Sequence, residues 1–292
     1  MSAAAQRLNV AQPALSLHVR NMEEHLDARL FTRRARGVSL TEAGELLLQR
    51  SRILLNEIAR LEDDIRNLGS SPRGDVRIGM PATIGSVLSV PLVLEVQDSL
   101  PGVRLRIAEA MSGFVLDWLQ KGQIDMAILY SPADGSEFDS TWLLSEDLVL
   151  IAPNSLQCDT PLPPEQLADL PLILPGPRHG LRKLLEEWAR RDGISLTAGI
   201  ELDSYANIKE LVEKGHGCSI LPLHAVSENV GSRRLKSVPL ATSGPYRDVF
   251  LIRAKTGLSG QACEAVHRLT RSLIANLVET REWTGVHTKA RL

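Results

Sequence analysis

Residues 9–44 read NVAQPALSLHVRNMEEHLDARLFTRRARGVSLTEAG, and they decide the fold of the N-terminal part of the chain. The pattern of Ala3–Leu8, just before this stretch, predicts a short helix. A tight turn is then predicted at Asn9 and Val10, where the stretch begins. A second helix opens around Pro13, because proline has no N–H to leave unpaired in a first helical turn. Apolar residues recur behind it at helical spacing: Ala14, Leu15, Val19, Met22 and Leu26. Two short helices joined by a tight turn form a helix-turn-helix unit.

The start of the second helix is the part of such a unit that enters the major groove of DNA. Gln12, Pro13 and Ser16 are therefore expected to face base edges, where a glutamine amide can pair with adenine. Arg20 lies further along the same helix and is expected to neutralise a phosphate.

Arg33, Arg34 and Arg36 surround a turn at Gly37 between two short extended pieces, a pattern typical of a wing that grips the sugar-phosphate backbone. We expect Arg33, Arg34 and Thr41 to make backbone contacts. Residues 1–52 hold eight arginines and five acidic residues, whereas the whole chain has a net charge of −2. The positive excess therefore lies in this block, although a solvated helix surface would explain the charge equally well.

Residues 41–68 predict one long helix that begins at Thr41, a good N-cap residue. Leucines recur every seven residues, and isoleucines follow two of them four residues later, which is a coiled-coil seam. The residues that form this expected dimer contact are Leu47, Leu54, Ile58, Leu61 and Ile65. A helix of this length spans about 42 Å, too long for burial in a small domain, so pairing with a second copy is favoured over packing on its own domain.

The stretch from Leu8 to Gly44 resembles the DNA-binding segment of LysR-type transcriptional regulators. The resemblance rests on AQPALS (11–16), LF-x-R (30–33) and LTEAG (40–44) in their order and spacing. It continues with RGDVRIGM (73–80) and GHGCSILP (215–222). Within the family, PLV (91–93), the segment 109–130 and IAPN (151–154) look similar to the nitrogen assimilation control subgroup.

The resemblance implies an α/β protein with a winged helix-turn-helix, a linker helix and a two-lobed effector domain like that of periplasmic solute-binding proteins. The expected bounds are 1–45 for the winged head and 41–68 for the dimerisation helix. The effector domain is expected at 75–280, with lobe I at about 75–147 and 250–280 and lobe II at about 148–247. Family members usually carry one further helix before the segment that begins here, so we expect the head to be truncated.

Strand and helix patterns alternate after the Gly-Ser-Pro break at 69–74, which predicts α/β architecture with a mostly parallel sheet or sheets. Among the predicted elements are strands at Val103–Glu109 and Leu148–Ala152 and a helix at Gly113–Lys121. Thr83 and Ser112 each stand at a helix start after a strand, where open α/β sheets bind ligands. Arg178 and His179 lie in the loop PGPRHG (175–180), and Ser204 follows another strand. We expect these five residues to line an effector pocket. The alternatives are simple N-capping for the hydroxyls and solvent exposure for the loop side chains.

Composition and motifs exclude other classes of protein. A net charge of −2 in 292 residues rules out an overall polycation. Cys158, Cys218 and Cys263 form no CxxC or Cys/His pairing, and so odd and sparse a count excludes a disulfide scaffold or a zinc cluster built on cysteine. The chain has no GxGxxG, Walker, HExxH or GxSxG motif, so we expect no cofactor, no metal and no catalytic residue. It has no apolar run long enough for a membrane span, and its polar start does not resemble a signal peptide, so we expect it in the cytoplasm.

The function expected from sequence is that of a LysR-type, sequence-specific DNA-binding transcriptional regulator. Its expected partners are a double-stranded DNA operator, a small-molecule effector, further copies of itself as homodimer or homotetramer, and RNA polymerase. The alternative is a ligand-binding or interaction module whose truncated DNA-binding head does not function.

Overall fold

The structure is a computed structural model that describes residues 1–34, 37–66, 71–241, 244–255 and 260–288. The side chains of Arg33, Arg60, Arg66, Pro164, Glu165 and Glu228 also lie outside its description. The predicted Leu68 end of the long helix and the Arg36 tip of the wing fall outside the described residues as well.

The N-terminal head consists of two helices and a hairpin. Helix α1 (Ser2–Arg7) and helix α2 (Gln12–His25) are joined at Asn9, whose φ of 53° makes the turn tight. Strands β1 (Phe31–Arg34) and β2 (Gly37–Leu40) then pair in antiparallel register, which is the expected wing. The head has a thin core: the described part of α2 buries no residue. Several large apolar side chains of the head are exposed to solvent: Leu8, Val10, Leu17, Met22 and Leu26.

Helix α3 (Glu42–Arg66) follows the wing directly. Thr41 is its N-cap, as predicted, because the Gly44 N–H donates to the Thr41 hydroxyl at 3.0 Å. A Cβ added to Gly44 would lie 2.1 Å from the Leu30 carbonyl oxygen, so the glycine allows the helix to pack closely on the chain that enters the wing. The linker helix is thereby fixed to the head.

Lobe I contains β3 (Gly74–Met80), α4 (Ala82–Ser99), β4 (Val103–Glu109), α5 (Ser112–Gln120) and β5 (Met126–Leu129). Strands β4, β3 and β5 are parallel neighbours in that order. Near the end of the chain, α10 (Gln261–Glu279) packs on the same core and β12 (Val286–His287) completes the edge. Fully buried apolar residues such as Ile78, Met80 and Met126 form this core.

Lobe II lies between these parts of the sequence and has its own core around Leu150, Ile173 and Leu221. Its elements are α6 (Pro164–Ala168), β7 (Leu172–Leu174), α7 (Gly180–Arg191), β8 (Ala198–Glu201), α8 (Tyr205–Glu213), β9 (Ser219–Pro222), a 3-10 helix (Leu223–Val226), α9 (Ser227–Gly231) and β10 (Lys236–Val238).

Two long strands pass between the lobes. Strand β6 (Phe138–Ala152) carries the chain into lobe II, and β11 (Tyr246–Ala254) brings it back, antiparallel to β6 along most of its length. Strands β9, β10 and β12 also pair with β6 in antiparallel fashion. The expectation of mostly parallel sheets is therefore wrong, because the crossing strands impose antiparallel pairing on both lobes.

Candidate functional site

The candidate reading face of the head is the N-terminal turn of α2. Gln12 and Pro13 are exposed there, and the Gln12 amide donates to the Ser16 hydroxyl at 3.1 Å. An amide has two N–H groups and a carbonyl oxygen, so this one bond leaves capacity for a base edge. The three residues expected to face bases therefore form one patch.

The candidate backbone contacts lie around this patch. Arg20 pairs with Glu24 at 2.7 Å on the exposed surface, a weak arrangement for which a phosphate can compete. On the hairpin, Arg34 donates to the Ser39 hydroxyl at 3.0 Å. The Thr41 hydroxyl donates to the Arg29 carbonyl at 2.5 Å, so the structure uses its one proton inside the head rather than leaving it for DNA.

Glu23 connects α2 to the wing through hydrogen bonds, a role that the sequence did not suggest. Its Oε1 accepts the Leu30 N–H at 2.8 Å and the Phe31 N–H at 3.2 Å, and Arg29 donates to its Oε2. The bonds from Leu30 and Phe31 hold the pKa of Glu23 below its ordinary value. The carboxylate therefore sets the position of β1 relative to α2.

Helix α3 presents an apolar stripe that nothing in the described chain covers. Leu54, Ile58, Leu61 and Ile65 lie on one face and are 64%, 54%, 48% and 66% exposed. Leu47, the first residue of the expected seam, is half-buried. A contiguous exposed apolar stripe on a long helix is typical of a surface that pairs with another helix.

A cavity of about 610 Å³ lies between the lobes, where the carboxyl ends of β3 and β4 meet the starts of four helices. Among the five residues expected to line an effector pocket, Thr83, Ser112, His179 and Ser204 line this cavity. Arg178 does not: it is exposed, one position before the residue that caps α7. The arginine in the cavity wall is Arg247, on β11.

The capping alternative fails for the lobe I hydroxyls and holds for Ser204 on the lobe II side, where the loop residue His179 is a cap as well. His179 Nδ1 accepts the Leu181 N–H at 3.1 Å, and Ser204 Oγ accepts the Asn207 N–H at 3.4 Å, so both residues are N-caps. Helices α4 and α5 instead begin after Pro81 and Met111, which provide no side-chain cap. The lobe I hydroxyls are thus not used as caps.

Thr83 is the polar junction of the cavity wall. Its hydroxyl hydrogen bonds to the Tyr130 hydroxyl and lies 3.4 Å from Arg247 Nη2. Its carbonyl oxygen lies 2.9 Å from His224 Nε2, which belongs to lobe II. One residue therefore connects the cavity, the crossing strand β11 and the opposite lobe.

Behind Thr83 lies a buried charged pair. Arg247 donates through Nε to Glu146 Oε2 at 2.6 Å, and its guanidinium lies 3.5 Å from the centre of the Tyr130 ring. Trp283 donates to the other Glu146 oxygen at 3.2 Å. Burial opposes the charge on Arg247, but Glu146 and the neighbouring tyrosines outweigh it and raise the pKa of the guanidinium. The arginine therefore remains charged.

Burial also governs the titratable rings around the cavity. It raises the pKa of Tyr130 and of Tyr205, so both phenols remain protonated hydrogen-bond donors. It lowers the pKa of His179 against the opposing effect of Asp203, and that of His224 against the opposing effect of Glu146. The cavity wall thus offers neutral donors beside the compensated Arg247 cation, and its charged lining also includes Lys209, Glu109 and Asp203.

The described residues hold no group of three or more His, Cys, Asp or Glu side chains that could bind a metal ion. The three cysteines are free thiols, and burial raises the pKa of Cys218 to about 11, which keeps that thiol protonated. Within the described chain, no helix has the length and apolar character needed to span a bilayer.

The comparisons with known proteins match both halves of this architecture. The bacterial regulatory helix-turn-helix protein family of LysR type matches residues 1–45, and the LysR substrate binding domain matches residues 69–274. The chain belongs to the LysR family of bacterial transcriptional regulators. It is thus a regulator with a DNA-binding helix-turn-helix and a ligand-binding domain, and its relatives are transcriptional regulators rather than enzymes.

Among the relatives of this LysR-type regulator, the nitrogen assimilation regulatory protein nac of Klebsiella aerogenes is 30% identical over 285 residues, covering 97% of this chain and 93% of that protein. The nac protein of Escherichia coli strain K12 is 28% identical over 286 residues, with the same coverage of both chains. Among solved structures, a full-length OxyR variant from Pseudomonas aeruginosa is similar, with a TM-score of 0.75, 21% identity and coverage of 99% of this chain and 93% of that one. Regulators of the family bind DNA and small-molecule effectors and form oligomers.

Proposed function

We propose that this LysR-type regulator binds a double-stranded DNA operator as a homo-oligomer and that a small molecule held between its lobes controls that binding. The observation that carries the proposal is the presence, in one chain, of an exposed reading patch at the start of α2 and a polar cavity of about 610 Å³ between the lobes. In this proposal the head spans 1–45, the dimerisation helix 41–68, and the effector domain 75–280.

For DNA recognition, Gln12, Pro13 and Ser16 would contact bases in the major groove. Arg20, Arg33 and Arg34 would neutralise phosphates, with Thr41 holding the wing rather than donating to DNA. The exposed, weakly paired state of Arg20 supports this division, because a solvated ion pair costs little to exchange for a phosphate contact.

For assembly, the exposed stripe on α3 would pair with the same stripe of a second copy, which places two reading heads on one operator. A further apolar patch on α4, formed by Val90, Val93 and Leu94, is also exposed. A second contact through α4 would join two dimers, so these two patches together support a tetramer over a dimer.

For sensing, Thr83, Ser112, His179 and Ser204 would hydrogen bond to an effector, while Arg178 would stay outside the pocket. A ligand acts only through a difference in affinity between two arrangements of the protein, and a cavity between two lobes offers such a difference. As a DNA-binding regulator, the protein would act in the cytoplasm and influence RNA polymerase at the promoter.

One observation favours a second candidate function, a ligand-binding module whose head does not bind DNA. The described part of α2 buries no residue, and Leu8, Val10 and Leu17 are exposed. A head with so thin a core would have to be held in place by other contacts before it could read a sequence.

DNase I footprinting on fragments selected from random sequence by the purified full chain distinguishes the two functions. A pair of protected half-sites about one or two helical turns apart is expected if the head reads DNA as a dimer. Binding that has no sequence preference would contradict the first function. In parallel, calorimetry against amino acids and small organic acids tests the cavity, and Thr83→Val, which removes the junction hydroxyl, serves as the matched control.

A further inference from the structure

Helix α5 connects the inter-lobe cavity to the linker helix. At its start, Met111 and Ser112 line the cavity. At its other end, the linker helix α3 binds the last carbonyl of α5 and the turn that follows it: Gln49 donates through Nε2 to the Gln120 carbonyl at 3.1 Å, and Asn56 donates through Nδ2 to the carbonyl of Gly122, just beyond the C-cap Lys121, at 2.7 Å. The last carbonyls of a helix have no partner within the helix, so the Gln49 amide satisfies a group that would otherwise need water.

The residues of α3 that make this contact share one face, distinct from the apolar stripe. Gln49, Ile53 and Asn56 follow at helical spacing, and a Cβ added to Gly122 would lie 3.0 Å from Ile53 Cγ1. Gly122 has a φ of 62°, so a glycine suits both the turn and the close approach of α3. One face of the linker helix thus points towards a second copy, and another binds its own lobe I.

A third bond completes the attachment. Asp64 Oδ1 accepts the Gln261 N–H at 2.9 Å, at the first turn of α10, whose N-cap Gly260 has no side chain. A carboxylate at a helix N-terminus is stabilised by the helix dipole. The linker helix therefore caps two helices of lobe I, one at its C-terminus and one at its N-terminus.

Apart from the close contact at Gly122, the attachment is polar and loosely packed. A cavity of about 340 Å³ lies beside it, between Ile53 and Asn56 of α3 and Leu119 and Ile124 of lobe I. An interface with such a gap gains little from apolar packing, so a few hydrogen bonds carry much of its strength. Contacts of this kind can be exchanged for water at small cost, which suits a joint between two arrangements.

We propose that Gln49 and Asn56 act as positioning residues that transmit occupancy of the inter-lobe cavity, through α5, to the linker helix. This inference rests on the proposed sensing function and specifies the path by which the cavity would act on the linker helix. Helix α5 has nine residues and spans about 13 Å, short enough to move as a unit. A ligand that draws Ser112 into the cavity would shift the carbonyl groups held by Gln49 and Asn56, and hence the direction in which α3 carries the head.

Hydrogen exchange of the full chain, in the absence of DNA and effector, tests the route. Asn56→Asp keeps the size of the side chain, removes the N–H donor and places a negative charge at the C-terminus of α5, where the helix dipole disfavours it. The matched control is Glu62→Gln, which changes one charge at an exposed position of the same helix, away from the face that carries Gln49 and Asn56. The readouts are the Lys121 and Gly122 amides at the linker end, which donate to carbonyls of α5, and the Phe114 and Val115 amides at the cavity end, which donate to the carbonyl of its N-cap Met111.

We expect Asn56→Asp to speed exchange at both ends of α5 by about fivefold, the effect of losing one partly buried hydrogen bond, and Glu62→Gln to change neither end. Faster exchange at the linker end with no change at the cavity end would overturn the proposal, and so would no change at either end. Strand β9 in lobe II reports on folding, and where Asn56→Asp also speeds exchange there, Gln49→Ala replaces it as the test variant. Because neither DNA nor effector is present, a failure here is separate from a failure of operator binding.

Discussion

Arg247 and Glu146 face each other across the two strands that join the lobes, as direct register partners whose side chains form a 2.6 Å hydrogen bond and are almost wholly buried. The pair lies behind the cavity wall, and Thr83 and Tyr130 contact the same guanidinium. A charged pair in this position links the geometry of the crossing strands to the residues that would meet a ligand.

Glu146→Gln should lower the free energy of unfolding by about 3 kcal/mol, because it leaves the Arg247 charge buried without its counter-ion. Urea unfolding followed by circular dichroism measures the change. Glu210→Gln, which breaks an exposed pair with Lys214, is the control and should leave the midpoint nearly unchanged. A midpoint for Glu146→Gln equal to that of the control would show that the buried pair does not make this contribution to the free energy of unfolding.

The stability of the folded chain should decrease as the pH is lowered below about 6.5. Burial holds the pKa of His179, His224 and His267 below the ordinary value of 6.5 in the folded state, so the unfolded chain binds more protons in this range. The contribution of these neutral rings to the free energy of unfolding is thus fully present above about pH 6.5 and is lost as the pH falls through their folded-state pKa values. Urea midpoints across this range measure the effect.

His267→Gln should reduce the dependence of stability on pH, because burial and the nearby Arg253 both keep the native His267 ring neutral. His18→Gln, at an exposed position on α2, is the control. Equal slopes of the urea midpoint against pH for the wild type and His267→Gln would contradict the assignment.

Leu61→Glu should shift the protein to a smaller oligomer, because it would place a charge within the apolar seam expected between two copies of α3. Sedimentation velocity over a range of concentrations measures the shift. Glu45→Gln, which lies on the opposite side of α3 from the stripe, should sediment like the wild type. A Leu61→Glu protein with unchanged oligomeric state would move the self-contact away from this stripe.

Arg34→Ala and Gln12→Ala should affect DNA binding in different ways. Losing the Arg34 charge should weaken binding to all sequences alike and reduce the slope of log affinity against log salt by about 1. Losing the Gln12 amide should cost about 1–3 kcal/mol of discrimination at one base pair and leave the salt slope unchanged. Gel shifts at several salt concentrations, on the footprinted site and on a scrambled one, separate the effects, and equal behaviour of both variants would reject these roles.

The sequence predicted the elements whose periodicity is local. Helix α5 was expected at Gly113–Lys121 and is Ser112–Gln120, and β4 has its expected bounds, Val103–Glu109. The first ten residues of β6 (138–147) were missed, because FDSTWLLSED has no steady alternation and part of it is only half-buried. Because this part of β6 was missed, the antiparallel strand pairing in both lobes was missed as well.

The residues of the cavity also divide into those that local sequence pattern reveals and those that it does not. Thr83, Ser112 and Ser204 could be found because each stands at a strand-to-helix junction, which sequence pattern reveals. Arg247 and Glu146 could not, since they lie in strand interiors 101 residues apart and only strand pairing brings them together. Arg178 and His179 were both expected in the pocket, but only His179, the N-cap of α7, lines it, and Arg178 is exposed one position earlier.

Tyr246 and Asp147 are direct neighbours across β11 and β6, so the chain leaves for lobe II and returns at adjacent points of the ladder. The whole intervening segment, residues 148–245, is in effect an insertion between two paired positions of the lobe I sheet. Its length and composition can drift in evolution without disturbing the register of lobe I, the attachment of the linker helix or the reading head. A regulator built this way can acquire a new chemical signal by exchanging one half of its pocket while it retains its operator.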